Sequence, residues 1–203
     1  MSNLLTPMIE VTPVNERIMR RRICHSLCIV ALVSVYVTTE ASDLTVKDAF
    51  YATLESVVDQ CPRRDTLLVL GDFNASTATD RDGYETCVGP HGSGTVNMNS
   101  TKFLDITRSH GLRMAGSWFQ CPQAHRWTWY SNAGGVAKEI GHVLITGRWR
   151  MIQNCRVYRN AQFLKLDHRL VEATLKLHLK SRRMVPSQPG LDVGKLKNER
   201  VAE

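Results

Sequence analysis

Runs of apolar residues divide the chain into a series of predicted strands and helices, and one run is the most informative. Thr66–Leu70 has β-compatible character and leads directly into Gly71-Asp72-Phe73-Asn74. A short run of this kind, bounded by turn residues, predicts a buried strand. Open α/β sheets bind ligands where such strands end, so Asp72 and Asn74, two positions apart, are predicted to point into one cleft. A carboxylate beside an amide suits a hard cation, an attacking water or a phosphate oxygen. A plain Asx turn would give the same pattern without any chemistry.

The rest of the pattern predicts a β-rich α/β layered domain with partly antiparallel sheets. A capping-box-like Thr45–Asp48 opens one helix, whose apolar positions fall on one face. A second helix, Asn99–His110, ends at Gly111. The predicted elements, in chain order, are an unstructured lead (1–13), a basic edge strand (within 14–26), strand Leu27–Val37, the first helix with buried Phe50, Leu54, Val57 and Val58, strand Thr66–Leu70, a loop (76–98), the second helix, and strands Leu112–Ala115, Trp127–Tyr130, Glu139–Thr146, Met151–Tyr158 and Leu170–Leu177, with a hairpin turn at Asn132–Gly135.

Composition limits the class of protein but does not indicate a function. The chain has 203 residues, 43% of them hydrophobic, which is enough for one domain with a real core. We assign residues 14–180 to that domain and residues 181–203 to a basic linker or tail. The net charge is +7, and residues 171–203 carry 7 basic and 4 acidic side chains. This balance is compatible with a polyanionic partner and equally with a solvated charged surface.

Two features decide the expected compartment. The six cysteines are scattered and form no Cys-x-x-Cys pair, so neither a zinc site nor a disulfide framework is predicted. Arg20-Arg21-Arg22 ahead of Leu27–Val37 imitates a signal peptide. However, the apolar run is too short to span a bilayer and lies well inside the chain. We therefore expect an intracellular protein, nuclear or cytoplasmic, with no membrane association.

A second pair of residues adds candidate chemistry. Asp167-His168 follows the apolar segment Phe163–Leu166 and precedes a predicted strand. A histidine at a strand entrance can act on a phosphate or move a proton near neutral pH, and it could share a site with Asp72. An isolated Asp-His pair is also common in surface turns, and Trp127-Thr128-Trp129 has the alternation of an ordinary half-buried strand.

The order of these motifs along the chain is more specific than any single motif. Ser34-Val35-Tyr36 on a strand, the Gly71–Asn74 turn, Trp127-Thr128-Trp129, Ile140–Ile145 and Leu166-Asp167-His168 follow one another along the chain. This order resembles the endonuclease/exonuclease/phosphatase superfamily, the relatives of DNase I. More narrowly, the chain resembles the endonuclease domain of LINE-type retrotransposons and the craniofacial development protein 2-like host proteins derived from it. The resemblance covers residues 14–185.

That resemblance implies a DNase I-like four-layered α/β sandwich and hydrolysis of phosphate esters with divalent metal, usually Mg²⁺. It implies that Asp72 positions the attacking water and that Asn74 holds the scissile phosphate. Tyr36 would touch the same phosphate, Asp167 would assist the metal, and His168 would stabilise the pentacovalent phosphate. DNA is the implied partner, with a reverse transcriptase module downstream in relatives.

Two departures from the family pattern affect these expectations. The family has an early strand with a metal-binding Glu upstream of the Tyr36 position; here only Glu10 and Glu16 are available, so the resemblance implies a fold truncated at its N-terminal strands. The family's Ile-Asp-Tyr or Ile-Asp-His motif stands here as Ile140-Gly141-His142, without the aspartate that orients the catalytic histidine. His142 should project to the opposite face of its strand and cannot replace it.

These observations leave two principal interpretations. The first is a retrotransposon-derived endonuclease-like domain with impaired or lost activity. The alternative is a non-catalytic remnant that binds nucleic acid or a protein partner through its basic surface. A small-molecule phosphatase of the same superfamily is a third, less favoured interpretation, because those enzymes lack the Val46–Tyr51 and Trp127–Ser131 stretches in this form.

Overall fold

The computed structural model describes residues 8–24, 28–77, 79–147, 151–158 and 166–176. These residues form ten strands and two α-helices, with two short 3₁₀ turns at Ala115–Trp118 and Gln123–His125. The elements are β1 (Met8–Pro13), β2 (Ile18–Cys24), β3 (Ile29–Tyr36), α1 (Leu44–Asp59), β4 (Thr66–Asp72), α2 (Met98–Ser109), β5 (Arg113–Met114), β6 (Trp129–Tyr130), β7 (Ala137–Lys138), β8 (Gly141–Ile145), β9 (Ile152–Val157) and β10 (Val171–Leu175).

A six-stranded mixed sheet in the order β1-β2-β3-β4-β8-β5 is the centre of the fold. Strands β3 and β4 pair in parallel, and the other pairs in this sheet are antiparallel. The crossover between β3 and β4 carries α1, as expected for a parallel connection. Strands β9 and β10 form a separate antiparallel pair, and β6 and β7 form a hairpin.

Each face of the six-stranded sheet buries a different cluster. On one face, α1 and α2 pack on alternate residues of β3 and β4, around Val33, Val69 and Phe103, each of which is fully buried. On the other face, Leu68 and Ile145 pack against Cys155 of β9 and its neighbours. The two face-to-face sheets predicted from sequence are therefore present. Among the described residues, helices cover only the outer side of the larger sheet.

Most predicted elements are confirmed, with shorter bounds for the strands. The apolar face of α1 is buried as predicted, and Gly111 follows α2 with a φ of +60°, the left-handed conformation that favours glycine at a helix end. The hairpin turn at 132–135 is also present, between β6 and β7. Residue 27 of the predicted strand and the predicted tail, residues 181–203, lie outside the described residues.

Three predictions need correction. Residues 8–13, assigned to an unstructured lead, form β1, which pairs with β2 along its whole length. Strand β1, and not β2, is therefore the edge strand of the sheet. Because β1 is exposed, its sequence does not show the apolar run that is typical of a buried strand. The capping box at Thr45–Asp48 does not form, because the N-cap of α1 is Asp43, two residues earlier, and it makes no side-chain cap bond.

Candidate active site

The candidate site lies at the carboxyl ends of the parallel strands β3 and β4. Gly71, the penultimate residue of β4, has a φ of +149°, and a Cβ there would lie 1.9 Å from the carbonyl oxygen of Val35. Only glycine allows β3 and β4 to approach this closely at the rim of the sheet. Tyr36 and Asp72 are then register partners at the ends of the two strands, so their side chains lie on the same face.

Burial and one backbone hydrogen bond define the state of Asp72. The backbone N–H of Asn74 donates to Oδ1 of Asp72 at 2.9 Å. Burial raises the pKa of Asp72, and this effect outweighs that hydrogen bond and the nearby imidazoles, which lower it. The other oxygen, Oδ2, lies 3.7 Å from Nε2 of His168. Asp72 is thus a carboxylate with an increased affinity for a proton, facing an imidazole.

Asn74 has a structural role in addition to its predicted contact with phosphate. Its φ of +47° is unusual for a residue other than glycine. Its side-chain amide donates to the carbonyl oxygen of Val37 at 2.8 Å, which ties the end of β3 to the turn after β4. The amide carries a second N–H. The predicted phosphate contact therefore stays a prediction and would have to use that second donor.

The other side of the site comes from the segment around residue 167. The indole N–H of Trp129 donates to Oδ2 of Asp167 at 2.8 Å, and His168 forms an isolated β-bridge with Trp129. Strand β6 therefore fixes the Asp167-His168 pair against the cleft. The sequence pattern around Trp129 showed only a half-buried strand, so this anchoring role was missed.

All five predicted site residues line one cleft of about 600 Å³: Tyr36, Asp72, Asn74, Asp167 and His168. Glu40 and Lys138 also line it, and neither was predicted from sequence. Glu40 accepts hydrogen bonds from the first backbone N–H groups of α2, at Met98 and Asn99. Its carboxylate therefore complements the positive end of the helix dipole.

Gly141 and His142 occupy the positions that the sequence analysis predicted. Gly141 is the register partner of Asp72, so it lies on the face of the sheet that carries the site. His142 points to the helix face, where its ring stacks on Phe103 at 5.0 Å and its Nε2 lies 2.8 Å from the carbonyl oxygen of Ala75. Burial lowers the pKa of His142. The imidazole of His142 is therefore a neutral core group and cannot serve His168.

Four carboxylates line the cleft, those of Glu40, Asp72, Glu139 and Asp167. Asp72 and Asp167 are the carboxylates beside His168, and Asp167 is already bound by an indole N–H. Within the part of the chain that the structure describes, no three His, Cys, Asp or Glu side chains are grouped so that they could hold a metal ion.

A buried ion pair supports the floor of the cleft and was also missed from sequence. Nε and Nη2 of Arg126 lie 3.1 and 3.0 Å from Oε2 of Glu139, and Ser93 donates to the same oxygen. Only 10% of the Arg126 side chain and 7% of the Glu139 side chain are exposed. This contact joins the long loop before α2 to the strand region that carries Gly141.

Two solved structures are similar to this chain in fold. The 3′ phosphatase NExo from Neisseria, solved bound to a product DNA hairpin, matches with a TM-score of 0.63 and 19% identity over 85% of this chain and 72% of that one. The endonuclease domain of TRAS1, a telomere-specific non-LTR retrotransposon, matches with a TM-score of 0.62 and 14% identity over 85% of this chain and 70% of that one. The chain has the DNase I-like endonuclease/exonuclease/phosphatase fold.

Sequence comparison finds similarity to one named kind of protein. Craniofacial development protein 2 of Tragulus javanicus is 25% identical over 166 residues, and that of Bos taurus is 24% identical over 166 residues. The alignments cover 82% of this chain but 29% and 28% of the two relatives, so the chain spans less than a third of their length. No family model matches the chain. Among the described helices, none is long and apolar enough to cross a membrane.

Proposed function

We propose that this chain is an endonuclease-like domain of retrotransposon descent in which metal-dependent phosphodiester hydrolysis is impaired. The observation that carries the proposal is the cleft itself. Asp72, Asn74, Asp167 and His168 line it together, while Gly141 stands opposite Asp72 without a side chain. DNA is the proposed substrate class, and Mg²⁺ is the cofactor that an intact site of this kind would use.

The residues that remain can still take part in phosphate chemistry. Asp72, with its raised pKa and one oxygen directed at the cleft, can accept a proton from an attacking water. The side chain of His168 is 40% exposed and can donate a hydrogen bond to a phosphate oxygen as negative charge develops on it. Tyr36 is 51% exposed at the rim and can contact the same phosphate.

The impairment follows from the position of His168. Its only close ionic neighbour among the described residues is Asp72, and a separation of 3.7 Å is longer than a hydrogen bond. Among the described residues, no carboxylate therefore holds the His168 ring through a hydrogen bond. The loss of such an interaction lowers rates by about 10²–10⁴-fold. The incomplete metal ligand set lowers the expected rate further.

A plasmid-nicking assay tests this proposal. The unmodified chain with Mg²⁺ is expected to relax supercoiled plasmid no faster than its Asp72→Ala variant, which is the matched control. Gly141→Asp alone is not expected to restore nicking, because the metal ligand set would still be incomplete. Robust nicking by the unmodified chain that is lost in Asp72→Ala would overturn the proposal and establish a working nuclease.

A second candidate function, binding without cleavage, is favoured by two arginine–tyrosine pairs, one of which reaches the cleft through Tyr36. The guanidinium of Arg17 lies 5.4 Å from the ring centre of Tyr36, and that of Arg169 lies 4.9 Å from the ring centre of Tyr130. Pairs of this kind suit a nucleic-acid strand, since the cation meets phosphate and the ring stacks on a base.

Fluorescence anisotropy with a labelled duplex at several salt concentrations separates the two candidates. A binding remnant should lose affinity steeply as salt rises, whatever the sequence of the duplex. Deletion of residues 180–203 should reduce the salt slope if the basic tail supplies phosphate contacts, and equal slopes would make that segment a linker. An absence of measurable DNA affinity would exclude the nucleic-acid form of this candidate.

A further inference from the structure

Strand β10, in the smaller sheet, has one unpaired edge. It bonds to β9 through its even-numbered residues, since the backbone N–H of Tyr158 donates to the carbonyl oxygen of Leu170 at 2.8 Å and the register continues from there. Hydrogen-bonding groups alternate in direction along a strand. The N–H and C=O groups of Val171, Ala173 and Leu175 therefore point away from β9, to a side where no other strand of the described residues pairs with β10.

Just before β10, the same side of the chain is already paired with β6. The N–H of Arg169 donates to the carbonyl oxygen of Thr128 at 2.8 Å, and the carbonyl oxygen of Asp167 accepts from the N–H of Tyr130 at 2.9 Å. This side of the segment therefore has the geometry of a paired strand, and in the described residues the pairing stops at β6. An edge of about 17 Å, from residue 171 to residue 175, is left for another strand.

A half-covered apolar surface of the larger sheet lies beside this edge. Strand β9 packs over the 3₁₀ turn Ala115–Trp118 and the start of β10 lies over β4 and β8, so the unpaired edge of β10 faces β3. Val30 and Leu32 of β3 and Leu70 of β4 pack against the buried cluster of that face but are only partly buried. The opposite face of β3 is closed, since Val33 is fully buried under the helices. The half-covered surface can therefore bury further apolar side chains.

The shape of this region favours a single extended segment over a second copy of the chain. In the larger sheet, β3, β2 and β1 continue for three strands beyond β4, which is about 14 Å at the usual strand spacing. If β10 paired with β10 of a second copy about a two-fold axis, each larger sheet would extend beneath the smaller sheet of the other copy, and the two larger sheets would collide. A lone strand brings no second layer and avoids this collision.

A cation lies within the same apolar face. Arg21 of β2 is exposed there, between its register partners Leu32 on β3 and Val11 on β1. The next arginine, Arg22, alternates onto the helix face, where it pairs with Asp65. A guanidinium keeps its charge at any physiological pH. An acidic side chain that points from an added strand toward the larger sheet would therefore find a charged partner in Arg21.

We propose that the unpaired edge of β10 and the half-covered face of β2 and β3 bind an extended peptide segment of a partner protein, with apolar side chains at alternate positions and an acidic residue among them. The segment adds a third strand to the smaller sheet through main-chain hydrogen bonds to Val171, Ala173 and Leu175. Its apolar side chains cover Val30 and Leu32, and its acidic side chain pairs with the guanidinium of β2. Binding requires no phosphate chemistry, so this inference goes beyond the proposed function and can fail or hold independently of it.

Fluorescence anisotropy of the full chain with a labelled synthetic peptide, Lys-Thr-Val-Thr-Glu-Thr-Val-Thr-Lys, tests the proposal. Saturable binding is expected. Two control peptides should not bind: one has the same composition in an order that breaks the alternation, and the other is N-methylated along its core and cannot donate main-chain hydrogen bonds. Hydrogen exchange should show new protection of the Ala173 and Leu175 amides on binding, while the amide of Glu172, which faces β9, should not change.

Two variants locate the site. Ala173→Pro removes the central N–H of the unpaired edge without removing a bond to β9, and it should weaken binding about tenfold. Arg21→Glu should weaken binding about two- to fivefold, and it should favour a peptide in which lysine replaces the glutamate. Arg20→Glu is the matched control, since Arg20 is the register partner of the fully buried Val33 and therefore lies on the helix face; it should leave binding unchanged.

The peptide series on the unmodified chain decides the matter even if a variant fails to fold. Equal binding of the three peptides would overturn the proposal, as would an absence of saturable binding. Binding that a folded Ala173→Pro variant retains in full would place the peptide elsewhere and overturn it as well. Slow exchange of the Ala173 and Leu175 amides in the free chain would show that the edge is already covered, by the chain itself or by a second copy, and would equally overturn it.

Discussion

The buried ion pair between Arg126 and Glu139 allows a quantitative prediction for the stability of the fold. Both side chains are almost fully buried, and the carboxylate accepts hydrogen bonds from Arg126 and from Ser93. Arg126→Met would keep an unbranched apolar stem, remove the guanidinium and leave the carboxylate without its counter-charge. Removal of one partner from a buried ion pair typically costs about 3–5 kcal/mol.

The magnitude follows from what remains after the substitution. In Arg126→Met, the hydrogen-bond donor left to Glu139 among the described residues would be the hydroxyl of Ser93, which cannot neutralise a buried charge. At about 2–4 °C per kcal/mol for a chain of this size, the expected loss is about 6–20 °C in Tm. The double variant Arg126→Met/Glu139→Leu removes both charges and should recover most of this loss, because apolar replacements of buried ion pairs are often close to neutral.

Urea unfolding followed by tryptophan fluorescence measures these differences, with Arg64→Met as the matched control. The Arg64 side chain is 78% exposed and lies 3.9 Å from Asp65, so its substitution should cost less than about 1 kcal/mol. The reasoning would be refuted if Arg126→Met also cost less than 1 kcal/mol. It would equally be refuted if the double variant were as unstable as the sum of the two single variants, because the coupling would then be absent.

Three further predictions concern single positions. Because burial raises the pKa of Asp72, folding favours the protonated carboxyl, and this contribution to stability is lost as the pH rises through the folded pKa. Asp72→Asn should therefore raise Tm at neutral pH, by an amount that shrinks as the pH falls. Because burial lowers the pKa of His142, the contribution of its neutral imidazole to stability is lost as the pH falls through the folded pKa. His142→Gln should therefore cost about 1–3 kcal/mol at neutral pH and make stability depend less on pH on the acid side. Ile9 and Val11 on the edge strand are 58% and 51% exposed, so size-exclusion chromatography should show association that Ile9→Lys reduces; a monomeric peak for the unmodified chain would contradict this last prediction.

Local pattern predicted those elements whose burial repeats with a regular period. The first helix was found because Phe50, Leu54 and Val57 recur at helical spacing and face one core. Strand β1 was missed for the opposite reason. Ile9, Glu10 and Val11 are all exposed, so no alternation of buried and exposed positions marks a strand, and only the pairing with β2 identifies it.

Contacts between distant segments could be predicted only where a resemblance supplied the order of the motifs. The convergence of Asp72 with His168 is of this kind, since 95 residues separate them and no local pattern connects them. The Arg126–Glu139 pair has no such support, because the chain between these residues makes a hairpin whose geometry decides which charges meet. The same holds for the indole of Trp129 on Asp167.

Two adjacent residues of β8 separate the contribution to the fold from the contribution to the cleft. Gly141 and His142 are adjacent, yet one faces the cleft and the other faces the helices, because side chains alternate along a strand. His142 contributes to the core through Phe103 and Ala75, so selection for folding alone suffices to retain it. Gly141 contributes no packing, and its neighbours would tolerate a side chain. A chain retained only for its fold has no physical need for a carboxylate at residue 141, whereas a chain retained for hydrolysis does. Under the proposed impairment, residue 141 is therefore the position of this pair at which a change affects the cleft and leaves the core intact.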